Sequence, residues 1–231
     1  MNNFDLAHAL QRFAILLIPM LLGIICHEVA HGWAALRQGD PTAAMLGRLT
    51  LNPRKHLDPM GSAFFLLTFF TGSPVVIGWA KPVPVNPRHF QSYRKGMIMV
   101  SVAGPLANFT LAVLFGLGLF IYTRITGGMR PISGSAEFFI GSMLFYGISI
   151  NATLAWFNLI PIPPLDGSKI LANILPRRLA LAYESIARYG FIILIMLMLI
   201  GLFRVVLFPL VSYTVSIVLR IYGLYWMPWL F

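Results

Sequence analysis

The sequence predicts an all-α polytopic membrane protein with about five transmembrane helices, a re-entrant or surface-lying segment, and a Pro/Gly-rich extended insertion after the first span. Two observations predict this fold class. Hydrophobic residues make up 58% of the 231 residues and charged residues only 10%, whereas a soluble domain carries about 25% charged residues. Several apolar runs also reach the roughly 20 residues that a helix needs to cross a bilayer. A lipid bilayer is therefore the predicted solvent of this chain.

Three segments are predicted as spans because each is apolar over the required length: residues 9–36, 96–123 and 136–163. The region 186–230 is also apolar, but Arg204 and Arg220 interrupt it. It could hold two spans that meet near Pro209, or one span followed by an interfacial tail. The aromatic side chains of this region suit the headgroup level of a membrane; they are Tyr222, Tyr225, Trp226 and Trp229.

The insertion after the first span, residues 37–95, is rich in Pro, Gly and Asn. An apolar run from Met60 to Phe70 lies inside it, and these 11 residues are too few to span as a helix. Continued to Ala80, the run would be long enough, but it would pass through a Gly-Ser-Pro break at Gly72. Segment 60–80 therefore either crosses the membrane, dips into it as a re-entrant segment, or lies along its surface.

Basic residues orient the predicted spans. Loop 37–95 holds eight of the 17 Lys and Arg residues, and loop 164–188 holds four. An excess of Lys and Arg marks cytoplasmic loops, so both loops are expected in the cytoplasm and the N-terminus outside. The same distribution explains the net charge of +10, and we expect no nucleic-acid partner.

The run His27-Glu28-Val29-Ala30-His31 lies late in the first predicted span. Histidines four residues apart share one face of a helix, so both imidazoles can bind one zinc ion. Glu28 follows the first histidine, where its carboxylate can act as general base toward a zinc-activated water. Because ionisable residues inside a span are costly and are functional sites by default, the run predicts a hydrolytic zinc site. Polar packing between helices is the alternative.

A hydrolytic zinc site needs a third protein ligand and an open position for water. Asp166 is the best candidate among the seven acids, because it closes a proline-rich run that starts at Asn158 and unwinds the end of a span. The alternative for Asp166 is an N-cap of the following helix. Asp166 and the two histidines reach the same membrane face only if segment 60–80 does not cross. Zinc coordination therefore predicts a re-entrant or surface-lying segment there.

Further runs accompany the HEVAH run. Gly104-Pro105-Leu106-Ala107-Asn108 lies in the next span, and Asn158 is followed eight residues later by Asp166-Gly167. Together these runs resemble the site-2 protease family of intramembrane metalloproteases. Loops 51–59 and 78–87 are similar to those of the small bacterial and archaeal members. The resemblance covers roughly residues 23–170.

The resemblance implies a set of site residues. The implied ligands of one Zn²⁺ per chain are His27, His31 and Asp166. Glu28 would activate water, and the amide of Asn158 would donate a hydrogen bond to the substrate carbonyl or oxyanion. An interhelical hydrogen bond is the alternative for Asn158. For Asn108, helix packing is favoured over a catalytic role.

The resemblance also implies an activity and a location. It implies a zinc metalloendopeptidase that cleaves transmembrane segments of membrane-anchored proteins, in regulated intramembrane proteolysis or in clearance of remnant peptides. We expect a multi-pass protein of the cell (plasma) membrane with its active site toward the cytoplasmic face. Its partners would be a transmembrane-helix protein substrate and the lipid bilayer, and a homo-oligomer is compatible with this arrangement.

The chain is predicted to form a single intramembrane metalloprotease domain, residues 1–231, without PDZ or CBS domains. Its catalytic core would comprise residues 9–170 and its C-terminal helices residues 186–230.

Alternatives from other classes stay open. A zinc transporter or sensor would also place His and Asp within spans, but it would not need Glu28 beside the first histidine. A membrane scaffold would need no metal ligands at all. In the insertion, His56 and Asp58 could bind a second metal, although a turn with solvated side chains is expected there. His8 and His89 are expected to be structural.

Overall fold

The computed structural model describes residues 6–71, 78–127 and 135–224. Most of these residues are helical, and they contain no β-strand. In chain order the helices are α1 (Leu6–Arg37), α2 (Thr42–Met45), α3 (Pro59–Phe70), α4 (Tyr93–Ile125), α5 (Ala136–Asn158), α6 (Asp166–Ile174), α7 (Arg177–Ser185), α8 (Gly190–Leu199) and α9 (Leu202–Ile221). The predicted all-α fold class is confirmed.

Five helical stretches within the described ranges are long and apolar enough to cross a membrane. They are Leu10–Arg37, Tyr93–Ile125, Ala136–Asn158, Arg177–Leu199 and Leu202–Ile221. Their number agrees with the prediction of about five transmembrane helices. The chain is a multi-pass membrane protein.

The third span ends earlier than predicted. The prediction was 136–163, whereas α5 ends at Asn158. Prolines at 161, 163 and 164 follow. A proline has no N–H to donate to the preceding turn, and its ring disfavours helical backbone in the residue before it. Residues 159–165 therefore leave the helix and carry the chain to Asp166, the first residue of α6.

The C-terminal region contains two candidate spans, and the break between them lies at Gly201 rather than near Pro209. Gly201 has a φ angle of +76°, which glycine adopts without steric cost. Pro209 lies inside α9, as a transmembrane helix tolerates. The first of the two spans begins at Arg177, ahead of the predicted start at residue 186. The predicted aromatic belt falls partly outside the described residues, namely at Tyr225, Trp226 and Trp229.

Segment 57–80 begins and ends on the same side of the membrane. Leu57 and Ala80 form an antiparallel bridge, so the two ends of the segment lie together. Between them α3 has 12 residues, about 18 Å of helix, which is too short for about 30 Å of hydrocarbon. Phe69 and Phe70 of α3 contact Phe13 in the first half of α1, with ring centroids 5.0 and 5.4 Å apart. This arrangement favours the re-entrant alternative over a surface-lying segment.

Helices α1, α4 and α5 pack against one another. Small residues allow close approach of their backbones. A Cβ atom on Gly23 of α1 would lie 2.6 Å from Oδ1 of Asn151, and one on Gly147 of α5 would lie 2.4 Å from the ring of Phe115. Helix α9 covers α4 and α5 through a buried apolar cluster that includes Ala112, Leu119, Ile148, Val218 and Leu219. The three-helix core positions the candidate site.

Residues 81–87, the proline segment, are non-helical apart from the start of a short turn at Pro87 and lie beside α1. Nη2 of Arg48 donates hydrogen bonds to the carbonyl oxygens of Lys81 at 2.8 Å and Pro82 at 3.2 Å. The N–H of Lys81 donates to the carbonyl oxygen of His56 at 2.7 Å. These bonds anchor the first part of the proline segment.

Asp40, in the turn after α1, anchors the other end of the proline segment. Its buried carboxylate accepts hydrogen bonds from the N–H of Asn86 at 2.6 Å and from Nδ1 of His89 at 3.0 Å. Burial raises the pKa of Asp40, but hydrogen bonds from Thr42, His89 and Asn86 outweigh it and lower the pKa to about 2. The carboxylate is therefore charged at neutral pH and acts as a strong acceptor. His89 therefore has a structural role, as was expected from the sequence.

Candidate metal centre

His27 and His31 face each other on the last turns of α1. Their Nε2 atoms lie 3.0 Å apart, and the two rings are perpendicular. Oδ2 of Asp166 lies 3.1 Å from Nε2 of each histidine. In the part of the chain that the structure describes, these three residues form the one group of three His, Cys, Asp or Glu side chains that could hold a metal ion. All three are buried.

The separations of these ligand atoms fit a zinc ion. Ligand atoms about 2.0–2.2 Å from a tetrahedral zinc lie about 3.3–3.6 Å from one another. The observed separations of 3.0–3.1 Å are close to this value. Two imidazole nitrogens and one carboxylate oxygen are also the donor types of catalytic zinc sites, with the fourth position left open.

Asp166 reaches the histidines because the prolines after α5 turn the chain back. The alternative of an N-cap is wrong: Leu165 is the N-cap residue of α6, and the carboxylate of Asp166 points to the imidazoles instead. Lys169 donates to Oδ1 of Asp166 at 3.0 Å, so Oδ2 is the oxygen that faces the histidines. The ammonium of Lys169 favours the ionised form of this carboxylate, which is the form that binds a metal.

The outer ring nitrogens of both histidines have protein partners. Nδ1 of His27 lies 2.7 Å from Oδ1 of Asn108, and Nδ1 of His31 lies 2.7 Å from the carbonyl oxygen of Val100. Because both partners are acceptors, the proton sits on Nδ1 and the lone pair of Nε2 faces the site. Asn108 therefore orients a candidate ligand in addition to packing helices, whereas packing alone was favoured from the sequence.

Asn151 supports Asn108 and was missed by the sequence analysis. Nδ2 of Asn108 donates to Oδ1 of Asn151 at 3.1 Å, and Nδ2 of Asn151 donates to the carbonyl oxygen of Gly147 at 2.9 Å. The signal that could have revealed Asn151 is its spacing: it precedes Asn158 by seven residues, two helical turns, on an otherwise apolar span.

Replacement of Asn108 by leucine is expected to weaken zinc binding about 10–100-fold, the usual effect of losing an outer partner of a histidine ligand. Competition with a chromophoric zinc chelator measures this affinity. The matched control is Thr110→Val on the exposed face of the same helix, where the hydroxyl bonds only to the carbonyl of Leu106. Equal zinc affinity in the two variants would contradict the orienting role of Asn108.

Gly104 and Ser101 of α4 form the wall behind the two histidines. A Cβ atom on Gly104 would lie 2.5–2.6 Å from ring atoms of His27 and His31, so only glycine fits there. The hydroxyl of Ser101 is buried, lines the site, and has no hydrogen-bond partner among the described residues. Its position was not predicted from the sequence.

A cavity of about 380 Å³ opens beside these ligands. Its lining includes all five predicted site residues, which are His27, Glu28, His31, Asn158 and Asp166. Oε2 of Glu28 accepts a hydrogen bond from the N–H of Val83 in the proline segment at 2.7 Å. Nδ2 of Asn158 donates to the carbonyl oxygen of Leu154 at 2.9 Å. The general-base candidate and the oxyanion candidate thus share one cavity with the metal ligands.

His56 and Asp58 lie outside this site. His56 is 1% exposed, and its Nε2 bonds to the carbonyl oxygen of Thr50 at 2.8 Å. Asp58 is the N-cap of α3 and accepts a hydrogen bond from the N–H of Gly61 at 2.8 Å. The expectation of solvated side chains is therefore wrong for His56, which is buried and precedes the bridge residue Leu57.

This arrangement, in a multi-pass helical protein, is that of a membrane zinc metalloprotease. The family model described as Peptidase family M50 matches residues 15–200. The chain belongs to this family, the site-2 protease family, as the resemblance implied. It is a zinc metalloprotease of the site-2 type, with Zn²⁺ as its cofactor and a peptide as its substrate.

Relatives in bacteria and archaea are similar over most of the chain. YwhC of Bacillus subtilis, named "Putative zinc metalloprotease", is 35% identical over 231 residues, 99% of each chain. Rip2 of Mycolicibacterium smegmatis, with the same description, is 33% identical over 80% of this chain and 67% of its own. MJ0611 of Methanocaldococcus jannaschii, again so described, is 31% identical over 69% of this chain and 70% of its own. No solved structure matches the chain.

Proposed function

We propose that this enzyme is an intramembrane endopeptidase that cleaves transmembrane segments of membrane-anchored proteins, in regulated intramembrane proteolysis or in clearance of remnant peptides. The observation that carries the proposal is the ligand triangle of His27, His31 and Asp166, with sides of 3.0–3.1 Å, within the packed helices α1, α4 and α5 and the adjoining α6. In this proposal the three side chains hold one Zn²⁺ per chain, and residues 1–231 act as a single domain.

The proposed chemistry assigns one task to each residue of the cavity. When bound, Zn²⁺ supplies Lewis-acid chemistry, which acidifies water and polarises a carbonyl group. Glu28 takes a proton from the attacking water and delivers it to the leaving nitrogen, so one water and one peptide bond yield a carboxylic acid and an amine.

Asn158 is proposed to stabilise the charge that develops on the substrate carbonyl oxygen. Its amide has two N–H groups, and one donates to the carbonyl of Leu154. The second remains for the substrate oxygen, where a preorganised donor is most effective as negative charge grows.

A transmembrane substrate must unwind before cleavage, because the peptide bonds of a helix are shielded by its own turns. We propose that the unwound segment lies along the proline segment as an added strand. Prolines have no backbone N–H for the hydrogen-bond ladder of a sheet, so they suit an exposed edge strand. Hydrogen bonds to Arg48 and Asp40 hold this segment beside the cavity.

The basic loops support an orientation for the site. Loops 37–95 and 164–188 carry most of the Lys and Arg residues, which marks them as cytoplasmic. We therefore propose that the N-terminus lies outside the cell membrane and that water reaches the site from the cytoplasm. Self-association into a homo-oligomer is compatible with this orientation.

Metal removal and restoration tests the proposed function. The purified protein in proteoliposomes is expected to cut a co-reconstituted single-span protein, to lose this activity after chelation, and to regain it with about one equivalent of Zn²⁺ per chain. Cleavage fragments are followed by mass spectrometry. Zinc flux into the vesicles without any cleavage would instead support the transporter class.

A further inference from the structure

The proline segment presents the backbone N–H of Val83 to the catalytic cavity. Val83 stands between Pro82 and Pro84, and neither proline has an N–H group. The N–H of Val83 is therefore the one donor in three successive residues, and it donates to Oε2 of Glu28 at 2.7 Å. This bond joins residues 55 positions apart in the chain.

The position of this donor is set by anchors that do not involve the metal ligands. Arg48 is buried and holds the carbonyl oxygens of Lys81 and Pro82, on the N-terminal side of Val83. Asp40 holds the N–H of Asn86 on the other side. A donor fixed from both sides is preorganised for its acceptor, as positioning of a catalytic group requires.

We infer that the backbone N–H of Val83 is a positioning group for the carboxylate of Glu28. The inference rests on the proposed function, in which Glu28 is the general base. A glutamate side chain has three rotatable bonds, and the hydrogen bond to Oε2 restricts them and leaves Oε1 for the water. Since the donor belongs to the proline segment, the same segment that is proposed to receive the substrate also aligns the base.

A pair of variants at one position separates the donor from the side chain. Val83→Pro removes the N–H, whereas Val83→Ala keeps it and shortens the side chain. A residue before Pro84 already favours the extended backbone that includes the φ angle of proline. The Cδ atom of the ring takes the place of the N–H hydrogen, so the carboxylate of Glu28 loses its donor and moves away from position 83. We expect kcat to be about 10–100-fold lower for Val83→Pro than for Val83→Ala, which corresponds to one lost hydrogen bond to a charged group. KM and bound zinc should be the same in the two variants.

A second comparison shows whether the donor acts through Glu28. Glu28→Asp shortens the side chain by one methylene and withdraws the carboxylate from Val83. In this background the difference in kcat between Val83→Pro and Val83→Ala should vanish. Arg48→Met is an independent variant that releases the proline segment without altering Val83. It should lower kcat in the enzyme that retains Glu28, but not in the Glu28→Asp background.

Several results would overturn the inference. These are equal kcat values for Val83→Pro and Val83→Ala, a change confined to KM, or a difference that persists in the Glu28→Asp background. If the zinc-loaded wild-type enzyme cuts no single-span protein, the proposed function fails. If it cuts and the two Val83 variants are alike, only the positioning role fails.

Discussion

Replacement of Asp166 by alanine is expected to abolish both zinc retention and peptide cleavage. Oδ2 of Asp166 is one of three candidate ligand atoms, at 3.1 Å from each histidine nitrogen. Removal of an outer partner of a ligand already weakens metal binding about 10–100-fold, so loss of a direct ligand should weaken it further. The substitution also leaves Lys169 without its ion pair in the cavity wall. Zinc content after dialysis and cleavage of a single-span substrate measure the two effects.

The matched control for Asp166→Ala is Asp58→Ser. Asp58 is a carboxylate of the insertion after α1, and it caps α3 rather than entering the site. Serine is also a good N-cap residue, so this variant should keep both its fold and its zinc. A zinc content near one per chain in Asp166→Ala would contradict the proposed ligand set. Loss of zinc in Asp58→Ser would instead support the second-metal alternative.

Replacement of Glu28 by glutamine is expected to lower kcat by about 10²–10⁴-fold, the contribution of a general base, while zinc stays bound. Glutamine has nearly the same shape and retains an amide oxygen that can accept the hydrogen bond from Val83. It cannot take a proton from water at neutral pH. The loss should therefore appear in the chemical step and not in metal content or folding, as measured by turnover, zinc content and thermal melting in detergent.

Glu184→Gln provides the comparison for Glu28→Gln. Glu184 is an exposed residue of α7, so this change removes one carboxylate without touching the cavity. Undiminished cleavage by Glu28→Gln would rule out Glu28 as the base. A parallel loss of zinc in that variant would show that Glu28 belongs to the ligand set instead.

The candidate site was largely predictable because two of its three proposed ligands lie close together in the sequence. A single helix places His27 and His31 on one face whatever else the chain does. Asp166 followed from a different constraint, the scarcity of acids combined with the number of crossings between α1 and α5. The structure satisfies this constraint, since the bridge between Leu57 and Ala80 closes segment 57–80 upon itself.

The boundaries of the spans were less predictable. Apolar composition continues through the prolines after Asn158 and past Gly201, and hydropathy does not register a change of backbone conformation. Proline chemistry ends α5 before the predicted limit at residue 163. At Gly201 the left-handed backbone breaks the helix, whereas Pro209 lies inside α9, as a transmembrane helix tolerates.

Composition and periodicity act locally, so they predicted the membrane solvent, the helical class, the metal-binding face of α1 and the basic loops. The groups that support the site became visible only once the helices were packed. The contact between His27 and Asn108 joins residues 81 positions apart, and that between Asn108 and Asn151 joins residues 43 apart. No local pattern specifies such contacts, since they depend on how three helices pack against one another.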